Sequence, residues 1–521
     1  MTTRTTHREP DLSTEFCGVK APNPFWLASA PPTNSAYQVR RAFEAGWGGA
    51  VWKTIAFEPI VNTSSRYGSI DYDGRKVVGL NNIELITDRT LEVNLREIAE
   101  VKREFPHHAL FVSLMVESKR EAWHEIVKRT EDTGCDGLEL NFGCPHGMSE
   151  RGQGAAVGQV PEYTKMIVEW VKQVARTPVM VKLTPNITDV RAVGRAAREG
   201  GADAISLINT INSVMGVDLD TLYPKPHVAG YGSHGGYCGP AVKPIALNMV
   251  SQIATDPDIG LPISGIGGIQ AWRDAVEHML LGASSVQVCT AVMHYGFRIV
   301  EQLIDGMTNW MREKGFASCA DFIGASSKRI VDWGDLDLNH KIVAEIDQSK
   351  CINCGLCYIA CEDGCHQSIK IEPVPEKKFL ADQKKLNRRH DHLRSDSTCH
   401  GRVGRVSQAD GKNTADTAVP RSATSAAVPR SAVGAAVPRS ERSFISGTQQ
   451  YVHGAGDGYV NVFTINQDTC VGCNMCSLVC PAEGCITMKR IDTGKPPMSW
   501  RQYQQALAAG KVDTIKPPEH V

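Results

Sequence analysis

The chain lacks any run of about 18 apolar residues, the length a membrane-spanning helix needs, so no span is expected. It lacks a charge excess. The net charge is -1, which offers no global attraction to nucleic acid or to an anionic membrane. Met1 to Glu15 is polar and has no apolar core, which argues against a secretory signal. Without one, 17 cysteines read as metal ligands and thiols rather than disulfides, and a reducing cytoplasm is the expected compartment. A credible dinucleotide fold is missing as well. Gly230-Tyr-Gly232-Ser-His-Gly235 matches the dinucleotide fingerprint letter for letter. Barely a strand precedes it, and Gly236 to Pro240 opens no helix, so the context that gives the fingerprint meaning is absent. The stretch reads as a flexible glycine loop.

What is present is ordinary in bulk. Hydrophobic residues make up 42% and charged residues 22%, as in soluble globular proteins. At 521 residues the chain is too long for one core, so two or more domains are expected. From Pro24 short apolar runs alternate with longer amphipathic ones. The runs that read as strands are Phe25–Leu27, Ala50–Lys53, Leu110–Met115, Gly137–Asn141, Val179–Leu183, Ala204–Ile208, Pro262–Gly265 and Ser285–Val288. Helix-like stretches such as Ala36–Ala45, Leu91–Arg103, Glu162–Ala175 and Ala271–Leu281 lie between them. Eight strands separated by helices fit a (β/α)8 TIM barrel better than an open sheet.

Polar side chains and glycines gather just past the strand ends: Ser29-Ala30, Lys53-Thr54, Asn141, Lys182, Asn209-Thr210, Gly267-Gly268 and Cys289-Thr290. In a barrel those ends converge on one mouth. Such a mouth suits flavin mononucleotide (FMN). Gly265-Ile-Gly267-Gly268 ends the seventh strand and opens a helix, and glycines let backbone N–H groups approach a phosphate. Cys289-Thr290 would complete the cradle, in the usual barrel phosphate position after strands seven and eight. Lys53 and Lys182 are cations able to sit by the flavin N1–C2=O edge, and Lys182 is the better aimed. Gly239 is a further candidate flavin contact.

Strand four ends in Gly137-Leu-Glu-Leu-Asn141-Phe-Gly-Cys144-Pro-His-Gly147. Asn-x-x-Cys-Pro-His-Gly resembles the active-site loop of dihydropyrimidine dehydrogenases, flavin enzymes that reduce uracil and thymine. The resemblance extends over most of the chain. Ser29-Ala30-Pro31-Pro32-Thr33 with Arg41 to Trp47 is similar to the family's opening flavin motif, which implies Ser29, Ala30, Lys53, Thr54 and Asn141 at the cofactor. Asn81-Asn82-Ile-Glu84 is similar to its substrate loop. The resemblance implies Asn82, Glu84, Asn141, Asn209 and Thr210 around the pyrimidine. It implies hydride delivery from flavin N5 to C6 and protonation of C5 by Cys144 as general acid. An ordinary thiol carries its proton at neutral pH. Gly143 departs from the pattern, since some relatives carry Ser there.

From Ile346 the composition changes. Cys351, Cys354, Cys357 and Cys361 form one C-x2-C-x2-C-x3-C run, and Cys470, Cys473, Cys476 and Cys480 form another, each led by Ile-x-Gln. This is the bacterial ferredoxin run, in which the fourth cysteine ligates the other cluster. Cluster one is then held by Cys351, Cys354, Cys357 and Cys480. Cluster two is held by Cys470, Cys473, Cys476 and Cys361. Four-cysteine zinc sites seldom use this spacing twice. Glu362 stands where Pro usually follows, and Cys365 and Cys485 read as packed thiols.

The expected architecture is an FMN-binding TIM barrel over residues 1–320, then a ferredoxin-like domain with two [4Fe–4S] clusters. Its halves are 321–374 (with a linker) and 459–491, and 492–521 is a tail. Between the halves, 375–458 is rich in Ala, Ser, Arg and Pro and repeats Ala-Val-Pro-Arg-Ser at Ala418, Ala427 and Ala436. It has too little apolar surface to offset ordering, and reads as a long disordered insertion. The resemblance implies a partner, an FAD/NAD-binding flavoprotein subunit that brings electrons from NAD(P)H to the clusters in a heteromer such as a heterotetramer. A dihydroorotate dehydrogenase-like flavoenzyme and a non-catalytic electron carrier are the rival readings.

Overall fold

Eight short strands close on themselves. In the computed structural model, which describes residues 9–63, 66–69, 78–145, 152–381 and 458–514, these are β1 (Phe25–Leu27), β2 (Gly49–Ile55), β3 (Ala109–Leu114), β4 (Gly137–Asn141), β5 (Val179–Lys182), β6 (Ala204–Leu207), β7 (Ile263–Ile266) and β8 (Ala283–Val288). Each runs parallel to the next, and β8 returns to β1 through Val286↔Phe25 and Val288↔Leu27. The order is that of the sequence, so the eight apolar runs are the eight staves. They are nearly all apolar because helices cover their outer faces and side chains fill the inside.

The covering helices include α1 (Ala36–Ala45), α2 (Leu91–Glu104), α3 (Arg120–Glu131), α4 (Pro161–Lys172), α5 (Val190–Glu199), α6 (Lys243–Thr255), α7 (Trp272–Leu280) and α8 (Ile299–Lys314). Their limits follow local chemistry. Ser35 caps α1 by accepting from the Gln38 N–H, and Gly46 ends it at φ 112°, a conformation glycine adopts without strain.

One end of the barrel is plugged. A hairpin, Thr14–Phe16 with Val19–Ala21, packs Phe16 against Trp26 and Phe111, with ring centroids 5.5 and 6.3 Å away. Beneath that cluster Gly137 has no room for a Cβ, which would lie 2.4 Å from the Phe111 ring. The other end, where the strands finish, is walled by a four-stranded antiparallel sheet. Its order is Ile211–Ser213, Gly235–Cys238, Leu80–Asn82, Tyr67–Ser69. This corrects one expectation. Of the glycine-rich stretch read as a flexible loop, Gly235 opens a strand that continues to Cys238, while residues 232–234 have no regular structure. Gly235 and Gly236 are there for close approach: a Cβ would lie 2.4 Å from the Asn81 side chain and 2.1 Å from the Thr210 hydroxyl.

The first compact unit is Met1–Val331 and the second Asp332–Val521. The first runs past residue 320 because Phe322 is fully buried in the barrel's apolar cluster. The second unit shows the internal repeat as structure. Strand β9 (Lys341–Ile346), a short helix (Leu356–Glu362) and β10 (Ile369–Pro375) are matched by β11 (Tyr459–Ile465), a helix (Met475–Val479) and β12 (Ile486–Ile491). β9 pairs with β12 and β10 with β11, both antiparallel. Each half thus supplies one strand to each pair. Among the described residues no helix is long and apolar enough to cross a membrane.

His146 and Gly147 lie outside the described residues, as do residues 382–457 with the three Ala-Val-Pro-Arg-Ser repeats. The strands on either side of that segment are in register, Pro375↔Tyr459 and Val374↔Val460, so their facing ends are already joined by the ladder. A short connector can span such a hairpin. Replacing residues 382–454 with a short Gly/Ser linker should therefore leave iron content unchanged, measured by metal analysis of the purified chain. Loss of iron on excision would show that the segment is needed for the domain.

Candidate functional site

The strand ends do more than converge; local irregularities turn extra side chains inward. In a regular strand Lys53 and Thr54 would face opposite ways. The β2–β3 register shifts between Trp52 and Ile55, and a bulge of this kind re-aims side chains. Both residues line one cleft, partly open to solvent. Ser29, Ala30, Asn82, Glu84, Asn141, Cys144, Lys182, Asn209, Thr210, Gly239, Gly267, Gly268, Cys289 and Thr290 line the same cleft. The structure thus brings together the barrel residues expected at the flavin and the pyrimidine.

A ladder of neutral polar groups crosses the floor. Asn209 Nδ2 donates to Asn141 Oδ1 (3.0 Å), and Asn141 Nδ2 donates to Thr54 Oγ1 (3.0 Å). Thr54 Oγ1 lies 3.1 Å from Ser29 Oγ and 2.9 Å from Ser113 Oγ. The Thr210 N–H donates to Asn209 Oδ1 (2.8 Å), and Asn82 Nδ2 donates to the Gly236 carbonyl (3.1 Å). Amides fixed in this way have a set orientation. The Gly143 departure now has a physical context. A Cβ there would lie 2.4 Å from Asn209 Cβ, so a serine could enter only if Asn209 moved.

Cys144 is buried in a small cluster with Ile86 and Met115. Its carbonyl accepts from the Ala155 N–H (3.0 Å), and Gly154, at φ +59°, leaves 2.8 Å between that carbonyl and a built Cβ. Both cations of the cleft have carboxylate partners. Lys53 bonds Glu84, which also accepts from the Tyr67 hydroxyl and lies 3.7 Å from Arg66. Burial and the Glu84 carboxylate push the Tyr67 phenol up. Lys182 Nζ lies 3.6 Å from Glu139 Oε1. Burial pushes the Cys289 thiol up to about 12, so it is protonated and neutral.

The cleft fits a flavin phosphate and ring. Gly267 (φ +125°) and Gly268 (φ +75°) form a tight turn in the cleft lining, packed so closely on Lys243 that a Cβ on Gly268 would lie 2.5 Å from Lys243 Cβ. Gln287 lines the cleft, yet its Oε1 is buried without a hydrogen-bond partner, an acceptor left for a ligand N–H. Sequence reading missed Gln287, Tyr67, Tyr237 and Glu139. Only Glu139 left a local signal, a carboxylate between Leu138 and Leu140.

In the second unit, Cys361, Cys470, Cys473 and Cys476 line one small space. Cys351, Cys354, Cys357 and Cys480 line another. The grouping is crossed between the repeats. Each run turns inward through two left-handed residues, Asn353 and Gly355 in the first, Gly472 and Asn474 in the second. Gly and Asn exchange places, and these two residue types adopt that conformation most readily. No three Cys, His, Asp or Glu side chains among the described residues converge on a single ion. Four thiols around a space, rather than a point, suit a cluster in which each thiol reaches its own iron. Cys485 is buried and lines the space of Cys351, Cys354, Cys357 and Cys480, while Cys365 is only half-buried.

Comparison with known proteins identifies the family. Residues 11–311 match the family model "Dihydroorotate dehydrogenase", and residues 463–484 match "4Fe-4S binding domain". The NAD-dependent dihydropyrimidine dehydrogenase subunit PreA of Escherichia coli (strain K12) is 41% identical over 361 residues, 69% of this chain and 87% of that one. The chloroplastic dihydropyrimidine dehydrogenase (NADP(+)) of Arabidopsis thaliana is 41% identical over 348 residues, 65% of this chain and 82% of that one. A ligand-free structure of DHODH from Eimeria tenella superposes with a TM-score of 0.52 at 21% identity, covering 63% of this chain and 94% of that one, which shows the shared fold. The chain therefore belongs to the dihydroorotate dehydrogenase family and is an oxidoreductase of the dihydropyrimidine dehydrogenase type with a 4Fe–4S segment.

Proposed function

We propose that this chain reduces the 5,6 double bond of uracil and thymine to the 5,6-dihydropyrimidine, reversibly. The observation that carries the reading is a single cleft in which three oriented amides, Asn82, Asn141 and Asn209, stand with Thr210 and the Cys144 thiol. A pyrimidine presents alternating C=O and N–H groups. Side-chain amides carry a donor and an acceptor each, so they match those edges without adding charge. Glu84 would stand near the ring with its carboxylate fixed by Lys53 and Tyr67. Cys144 would hold the proton that goes to C5.

FMN, when bound, supplies the hydride chemistry that no side chain offers. Gly267, Gly268, Cys289 and Thr290 would hold its phosphate. Ser29, Ala30, Thr54, Asn141 and Gly239 would touch its body, and Lys53 and Lys182 its polar edges. The two groups of four cysteines would hold two [4Fe–4S] clusters, Cys351, Cys354, Cys357 and Cys480 on one, Cys361, Cys470, Cys473 and Cys476 on the other. Electrons would enter them from NAD(P)H through an FAD/NAD-binding flavoprotein partner in a heteromer.

The family's own name favours a second substrate, dihydroorotate. Orotate adds a carboxylate to the ring, which an uncompensated cation would favour. The lysines lining the cleft are Lys53 and Lys182, and each faces a glutamate. That pairing supports the uncharged pyrimidine.

Replacing Cys144 with Ala should lower uracil turnover by roughly two to four orders of magnitude, the usual contribution of a general acid. Flavin and iron content should not change, because the thiol ligates neither. Serine there should rescue poorly, being the weaker acid. Near-normal turnover in the alanine variant would remove Cys144 as the proton donor.

A second expectation concerns the electron source. Hydride from NADH must be split into single electrons before clusters can carry it, which requires a flavin beside the nicotinamide. Among the described residues there is no dinucleotide fold for that. Alone it should reduce uracil with a chemical one-electron donor and stay inert with NADH or NADPH, followed at 340 nm. Steady NADH oxidation by the purified chain would overturn the two-subunit reading.

A further inference from the structure

TIM barrels are usually filled with branched apolar side chains. Beneath the mouth of this one lies a polar layer around Glu139, which is fully buried and does not line the cleft. Ser206 Oγ donates to its Oε2 (3.0 Å), and Gln287 Nε2 approaches the same atom at 3.4 Å. Gln287 Nε2 also donates to Ser264 Oγ (3.1 Å). The other oxygen, Oε1, accepts no hydrogen bond and lies 3.6 Å from Lys182 Nζ. That separation is too long for a hydrogen bond. Lys182 is therefore held by charge alone, and its N–H donors stay available to whatever occupies the cleft.

We propose that Glu139 is a positioning residue for the redox chemistry: it compensates the charge of Lys182 and so sets the reduction potential of the bound flavin. The inference rests on the reading that FMN lies in the cleft with Lys182 at its N1–C2=O edge, where negative charge collects on two-electron reduction. An unopposed ammonium there favours the reduced flavin. A carboxylate behind it, in a region of low dielectric, weakens that preference and keeps the reduced flavin a competent donor. Glu139 touches neither cofactor nor substrate, so it acts only through Lys182.

The test is the midpoint potential of FMN in the full-length holoenzyme. Glu139→Gln keeps the shape and one acceptor oxygen for Ser206 and Gln287, and removes the charge. It should raise the potential by a tenfold change in equilibrium or more, about 30 mV for a two-electron couple. Glu139→Asp, with a retreated carboxylate, should move it the same way by less, and serves if the Gln variant does not fold. Lys182→Met should lower it. An unchanged potential in folded, flavin-loaded Glu139 variants would overturn the proposal while leaving FMN binding intact. Loss of flavin from a folded Glu139 variant would also overturn it, by making the residue a structural support. An unchanged potential in Lys182→Met would instead sink the underlying placement of the flavin.

Discussion

Everything at the functional site depends on the pairing of β8 with β1. Val286↔Phe25 and Val288↔Leu27 turn an eight-stranded sheet into a closed barrel. Closure forces the C-terminal ends of all the strands onto one rim. Residues far apart in sequence, Ser29 and Cys289 among them, then line one cleft. The plug at the opposite end, built on Phe16, Trp26 and Phe111, leaves the rim as the open face.

Charge within that apolar frame is tightly matched. Lys53 meets Glu84 from the wall of the mouth, and Lys182 meets Glu139 from inside the barrel. All four are nearly or fully buried. Breaking such a pair leaves an uncompensated buried charge and typically costs about 3–5 kcal/mol. An apolar layer would hold the barrel together at least as well, so stability alone does not account for these pairs. They make sense as a way to bring two ammonium groups to a cofactor edge while the cleft stays close to neutral.

Much of this was legible in the chain itself. The barrel strands announce themselves as apolar runs because both faces of a central parallel strand are covered. The site residues were legible because they follow those runs directly, and the cysteine runs because their spacing is specific. The mouth wall was not. Gly235–Cys238 reads as a loop, since its two glycines are selected for contact with Asn81 and Thr210 rather than for strand propensity. Tyr67 and Tyr237 reach the cleft from that wall, so no strand end marks them. Glu139 shows the limit of periodicity. Alternation with Leu138 and Leu140 says that it faces the other way, but an outward, solvated glutamate gives the same pattern. Only closure shows that the other way is the barrel interior.

The central claim is a neutral pyrimidine site beside a flavin, fed by iron–sulfur clusters. The most direct measurement takes the purified chain, identifies its extracted flavin, and compares reduction of uracil and of orotate by the same artificial one-electron donor. The account predicts FMN, about eight iron atoms for two clusters, and turnover of uracil with none of orotate. Turnover of orotate in place of uracil, or a chain that reduces neither while fully loaded, would contradict it.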